Sequence, residues 1–306
     1  MKIENKQKMQ KLQKAQKIGR TVRPYAYIFP ILAILFVFVG VSLSIGIRYS
    51  FTKYNLIGVP EWGGLYNYKK MLGDTKLHQA VKTTVILIVF VVPAQIVLST
   101  CFATLIAKRR NTILGKLAKA AIFIPVLSSS AVVGTVWKAI LNGNNALVQK
   151  FFHLFGIESN MLLGSSTTAL ITVACIVVWK SMGYYMILML SSVLSISDHY
   201  YEAAKMDGAN GFYLFTKITL PMLKPAIILN FFLAVASGMQ IFDLVYTMTG
   251  GGPSMSTTTL VMYLYDLTFK SGKAGYAMAI SNVFFLVVVG IMLLQRGLMK
   301  KETSEL

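Results

Sequence analysis

The residues able to do chemistry are few in this chain, and they fall in three places. Two Gly-Lys pairs, Gly115-Lys116 and Gly272-Lys273, are where a phosphate-binding loop would be sought. Such a loop needs a glycine five residues before the pair and a Ser or Thr after it. Arg110 and Leu267 stand at the first of these positions, and Leu117 and Ala274 at the second. The chain therefore carries no Walker-type loop, and any ATP-driven work must draw on another polypeptide. Cys101 and Cys175 both lie in apolar runs, where a thiol behaves as a small hydrophobe. No CxxC spacing exists, so neither a disulfide framework nor a metal knuckle is expected. Polar side chains within apolar runs (Tyr184, Tyr185, Asn230, Gln240, Asp243 and Asn282) are candidates for contacts along a solute path. Their alternative role is interhelical hydrogen bonding. Asp243 reads as the only carboxylate near the interior of an apolar run, and no buried acid–base pair of the proton-carrier kind is expected.

The third place is Ser195 to Lys224, the longest polar stretch after the first hundred residues. Its local logic is helix, turn, helix. Ser197 or Asp198 can cap a first helix. Glu202, Ala203, Ala204, Lys205 and Met206 are good helix formers. Gly208 can end that helix in a left-handed conformation, and Asn210 can cap a second. Phe212, Phe215 and Thr219 then fall on one face of the second helix, which Pro221 and Pro225 terminate. An apolar face of this kind must be covered by the chain's own helix ends, by lipid headgroups or by a groove on a partner. Glu202 and Asp207 favour the partner groove over an anionic lipid surface.

The elements that position these residues are membrane helices. Only 13% of the 306 residues are charged and 55% are apolar, against roughly 25% charged in soluble domains. The mean hydropathy is +0.62. Six apolar segments approach the length of about 20 residues that spans a bilayer as a helix: 26–47, 83–107, 117–140, 167–190, 225–246 and 276–294. Pro93 and Pro125 lie inside two of them, which neighbouring helices make tolerable. The expectation is an all-α integral membrane protein of six transmembrane helices with a cytoplasmic helix-turn-helix loop. A basic arm (1–25) precedes the membrane domain (26–296), and a short tail (297–306) follows it.

The net charge of +19 does not indicate nucleic acid, because the basic residues sit between the apolar runs, as topogenic charge does. Eight Lys or Arg lie within residues 1–23. Lys108, Arg109, Arg110 and Lys116 lie in the second loop, and Arg296, Lys300 and Lys301 in the tail. The positive-inside bias puts all three regions, and with them both termini, in the cytoplasm. The first run is an anchor and not a signal peptide, because it exceeds the length of an h-region. No internal repeat is visible.

The spacing of Glu202, Ala203, Ala204, Gly208, Ile218, Leu220 and Pro221 resembles the loop motif of membrane subunits of binding-protein-dependent ABC importers. Asp207-Gly208-Ala209 and Ser50 to Asn55 resemble the carbohydrate branch, of the maltose permease large-subunit type. So do Gly64-Leu65-Tyr66-Asn67-Tyr68, Pro125, Ser128, Trp137, Thr249 to Pro253, Ser256-Thr257 and Gly275-Tyr276-Ala277. The resemblance covers nearly the whole chain from about residue 25. It implies that Glu202 to Pro221 docks in a cleft on a cytoplasmic ATPase, with Glu202, Ala203, Ala204, Asp207, Gly208, Ile218, Leu220 and Pro221 as the coupling residues. It further implies a second homologous permease, an ATPase dimer holding ATP and Mg, and an extracytoplasmic solute-binding protein. No cofactor is expected on this chain itself. The setting would be a bacterial or archaeal plasma membrane, and the solute a carbohydrate. Two other readings remain open: a six-span carrier or channel without an ATPase, and an ABC importer of a different solute.

Overall fold

The computed structural model describes residues 25, 27–141, 150, 153–154, 156 and 161–303; the basic arm, up to residue 24, lies outside them. Among the described residues, four helices are long and apolar enough to cross a membrane alone. Helix α1 is Tyr27–Ser50. A short antiparallel ladder of β1 (Thr52–Lys53) and β2 (Glu61–Trp62) and helix α2 (Tyr66–Leu72) follow it. Helix α3 is Thr75–Lys108. Next come α4 (Ile113–Leu127), α5 (Ser130–Leu141) and the short α6 (Met161–Gly164). Helix α7 is Ser166–Leu194. The loop helices are α8 (Asp198–Met206) and α9 (Gly211–Met222), followed by α10 (Lys224–Met239). Helices α11 (Asp243–Thr249) and α12 (Leu260–Tyr265) precede α13 (Ala274–Thr303).

The third and fifth spans differ from expectation, because neither is one continuous helix. Residues 117–140 divide into α4 and α5, which meet at 98°. The break at Ser128-Ser129 follows Pro125, which removes a backbone donor. The run of three serines there competes with the helix for backbone groups. The fifth span ends at Met239, and Asp243 to Tyr246 belong to the separate helix α11. The backbone freed in this gap finds partners elsewhere: Thr259 Oγ1 donates to the Ile241 carbonyl at 2.7 Å, and Gln240 Nε2 donates to that of Ala236 at 3.1 Å. A broken span survives in lipid only when freed groups are satisfied in this way.

Helix α7 is the hub. It packs along α3 and against α4, and α10 lies on α3. Gly183 lets α4 approach closely, since a side chain there would meet the Ile122 carbonyl. Gly134 does the same for α5 against Thr247 on α11. Small residues at close crossings are the usual device of membrane bundles. One apolar core joins Val92, Ile96, Met186, Met189 and Leu223; another joins Leu87, Val173, Val177, Val245 and Met248. Phe36 and Phe38 on α1 are more than two-thirds exposed, as expected of a helix facing lipid or another membrane subunit.

The 34 residues of α3 are about 50 Å long at the α-helical rise, so its ends mark the two ends of the molecule. Lys108 and the loop helices share one end. At the other, Asp74 caps α3 and binds Tyr263 and Tyr276.

Candidate coupling and translocation sites

The polar loop folds as its sequence predicts up to the turn. Ser197 Oγ accepts the His199 amide at 3.4 Å and starts α8. Gly208 has φ +80°, a conformation that costs other L-residues about 1–2 kcal/mol. The turn is closed by amides of Gly208 and Ala209 donating to the carbonyls of Lys205 and Ala204. Asn210 Oδ1 accepts the Tyr213 amide at 2.9 Å and starts α9.

Beyond the turn the expected Phe212–Phe215–Thr219 face divides: Thr219 is buried with Leu214, Phe215 is half-buried, and Phe212 is exposed. The cause is a π-widened stretch, Leu214–Thr219. It aligns residues five apart, so Thr219 Oγ1 donates to the Leu214 carbonyl at 3.2 Å. Across the turn, the hydroxyls of Tyr201 and Thr219 lie 3.0 Å apart and join the two loop helices. Pro221 lies within the last turn of α9 rather than after it. The chain bends by 67° between α9 and α10. Pro225 sits in the first turn of α10, where it cannot donate to the residue 221 carbonyl.

The outer surface of this pair carries Glu202, Ala203, Met206, Asp207 and Phe212, all exposed. Met206 is 89% and Phe212 77% exposed. Ala204 and Ile218 are half-buried, and Leu220 and Pro221 are exposed. Glu202 has a weak solvent-side pairing with His199 at 3.6 Å. The arrangement presents two apolar side chains and two carboxylates on a stiff two-helix unit. It has the form of a docking element, with no nucleophile–base pair.

The six candidates for a solute path are not gathered in one place. Gln240 and Asp243 line a cavity of about 180 Å³ at the broken ends of the third and fifth spans, with Ser130, Lys180, Ser181 and Ser237. Tyr185 is buried with its ring edge against Tyr184, which is half exposed. Asn230 is buried, its Nδ2 donating to the Ala226 carbonyl at 2.9 Å, and its Oδ1 lacks a partner among the described residues. Asn282 lies apart, its Nδ2 donating to the Gly46 carbonyl and tying α13 to α1.

Lys180, which is not among the sequence candidates, lines this same cavity beside the exposed Asp243. Its signal is a lone lysine in the middle of the run 167–190, which is costly in lipid and marks a functional position. Packing of α7 against α11 brings it to the same cavity as Asp243, although the two are far apart in the chain.

At the opposite end, three motifs that look independent in sequence form one joint. Asn67 Nδ2 donates to the carbonyls of Ser50 and Thr52, each at 2.8 Å. Gly275 packs on the backbone of Thr52 and Tyr54. Asp74 Oδ2 accepts from the hydroxyls of Tyr263 (2.6 Å) and Tyr276 (2.7 Å), and Oδ1 from the amides of Lys76 and Leu77. Burial by itself would raise the Asp74 pKa, but these four donors outweigh it and hold the carboxyl below its ordinary value. Burial and the bond to Asp74 push the Tyr263 phenol upward.

The profile of binding-protein-dependent transport system inner membrane components matches residues 99–301. The chain belongs to this family of transport subunits. The match takes in the helix break of the third span, the Lys180–Asp243 cavity and the whole α8–α9 pair. Among similar proteins is the multiple sugar-binding transport system permease protein MsmF of Streptococcus mutans, 33% identical over 84% of this chain and 88% of the relative. The lactose transport system permease protein LacF of Rhizobium radiobacter is 30% identical over 77% and 80%. A chain of a bacterial ABC transporter involved in the import of the acidic polysaccharide alginate has the same fold, with a TM-score of 0.80 at 20% identity over 94% of this chain and 98% of that one. Like those proteins, this family member is a multi-pass membrane subunit of a transport system, and the six-span carrier outside the family is set aside.

Proposed function

We propose that this chain is one of two homologous membrane subunits of an ATP-driven importer, carrying a carbohydrate handed over by an extracytoplasmic binding protein. The observation that carries the reading is the exposed α8–turn–α9 pair, a rigid unit with no chemistry of its own on a family member that lacks a phosphate-binding loop. Energy enters there. The pair docks in a groove of a cytoplasmic ATPase dimer, which holds the ATP and Mg. Met206 and Phe212 serve as apolar anchors, and Glu202 and Asp207 meet basic groups at the rim. The charge bias supports placing both termini on the cytoplasmic side with this loop. The membrane is the plasma membrane of a bacterium or archaeon.

Closure of the ATPase dimer moves α8 and α9 together, because Tyr201, Thr219 and the Gly208 turn hold them as one body. The 67° bend before α10 turns that displacement into a tilt of the fifth span. The break at Gln240–Phe242 and the Lys180–Asp243 cavity lie at the far end of α10, where the solute's hydroxyls meet polar groups. The carbohydrate assignment is supported by the relatives with sugar-transport names. The decisive experiment is co-purification of the ATPase and a second permease with this chain, wild type and Gly208→Val. The variant should lose the ATPase and solute uptake while keeping the second permease. Solute uptake by the chain alone in liposomes overturns the reading.

A further inference from the structure

A cavity of about 600 Å³ lies between the α8–α9 pair and the turn joining α3 to α4. Lys108, Arg109 and Arg110 line it from the turn, and Lys205 lines it from α8. Asp198 is the one carboxylate among its lining residues. Four cations against one carboxylate on a concave surface repel one another, and a bound anion relieves that repulsion. Helix α4 adds to the effect. Its cap Thr112 lines the same cavity, so the positive end of a 15-residue helix faces inward. Two adjacent arginines offer the planar forks that match phosphate oxygens. The remaining wall is apolar, with Ala107 and Val193 at the ends of two spans and Leu214 from α9. The cavity therefore opens where the bilayer meets water, and it can take an ion with an organic substituent as well as a bare one.

We infer that this cavity binds a phosphate-bearing anion, which bridges the Lys108–Arg110 turn to the coupling pair through Lys205. None of the three turn residues belongs to the Glu202–Pro221 element, so this is a second contact on that element, separate from the ATPase groove. Occupancy links the α3–α4 turn to the loop that receives the stroke. It gives the membrane or the cytosol a means of setting how firmly that loop is held. The site depends only on the loop's position at the membrane boundary and would serve whatever the solute or partner.

A lipid headgroup and a soluble phosphate are the two sources of this chemistry, and the test separates them. The full-length protein is purified in detergent, and binding is measured by native mass spectrometry with phosphatidylglycerol or phosphatidylcholine, and by phosphorus NMR with inorganic phosphate. Preferential retention of phosphatidylglycerol identifies a lipid site, and binding of inorganic phosphate identifies a soluble one. In either case Arg109→Gln with Arg110→Gln should weaken binding about tenfold or more, as loss of a charge-assisted bond implies. Arg109→Lys with Arg110→Lys keeps the charge and should recover part of it. Lys116→Gln with Lys119→Gln removes the same charge outside the cavity and should change nothing. No binding of either probe, equal retention of the two lipids, or equal loss in the Lys116 and Lys119 variant overturns the proposal. A single symmetric peak on size exclusion shows that each variant is folded.

Discussion

Tyr201 and Thr219 face each other across the Gly208 turn with their hydroxyl oxygens 3.0 Å apart, and this is the side-chain hydrogen bond that joins α8 to α9. Thr219 is buried and Tyr201 half-buried, so the bond is partly withdrawn from water. A bond of this kind contributes about 1 kcal/mol, or roughly a fivefold change in an equilibrium between docked and splayed loop helices. Tyr201→Phe should leave the membrane helices intact and raise amide exchange in residues 198–219 about fivefold. Solute uptake should fall while the ATPase still co-purifies. Unchanged exchange in this segment would remove the bond from the coupling account.

Asp74 sets the acid response of the opposite end. Its folded pKa lies below the ordinary value, which is about 3.9 for an aspartate. The stability it contributes is therefore complete above about pH 4 and is lost as the pH falls through the lowered value. Thermal melts should be flat from neutral pH to about 4 and then decline. Asp74→Asn should lower the melting temperature at neutral pH and flatten the decline below pH 4. Tyr263 has the opposite sign, because its pKa is raised. Its contribution persists up to about pH 10 and fades as the pH climbs through the raised value. Equal acid slopes for the wild type and Asp74→Asn would show that another group governs.

The Lys180–Asp243 cavity predicts a separation of uptake from assembly. Lys180→Gln and Asp243→Asn each remove a charge at the broken spans and should lower uptake about tenfold, the order of one charge-assisted hydrogen bond. ATPase co-purification should be unchanged, because α8 and α9 are untouched. Loss of the ATPase together with uptake would mean that these residues hold the fold and not the path.

Gly183 tests the packing of the hub. A side chain on α7 at this position meets the Ile122 carbonyl on α4, and backbone cannot yield as a flexible side chain can. Gly183→Leu should destabilise the protein by about 1–3 kcal/mol, the usual cost of overpacking, read as a lower melting temperature in detergent. Gly290→Leu is the control, since nothing lies near a side chain built there, and it should melt as the wild type does.

Hydropathy alone placed the apolar segments, though not the breaks in the third and fifth, because lipid demands an apolar exterior and the length of a span follows from bilayer thickness. Local rules likewise placed Ser197, Gly208 and Asn210, since caps and left-handed turns depend on a few neighbouring residues. The functional reading came instead from the resemblance of the Glu202 to Pro221 spacing to the loop motif of the importer family. Tertiary structure alone decided three things: the break at Gln240–Phe242, the gathering of Lys180 and Asp243 at one cavity, and the bonds of Tyr263 and Tyr276 to Asp74. Each depends on groups distant in the chain. Thr259 must reach Ile241 before the fifth span can break, and α12 and α13 must fold back on the start of α3 before two tyrosines can find one carboxylate. Periodicity reports which side of a helix is apolar. It carries no information about which distant donor will satisfy a freed carbonyl, and that satisfaction is what permits a span to break in lipid.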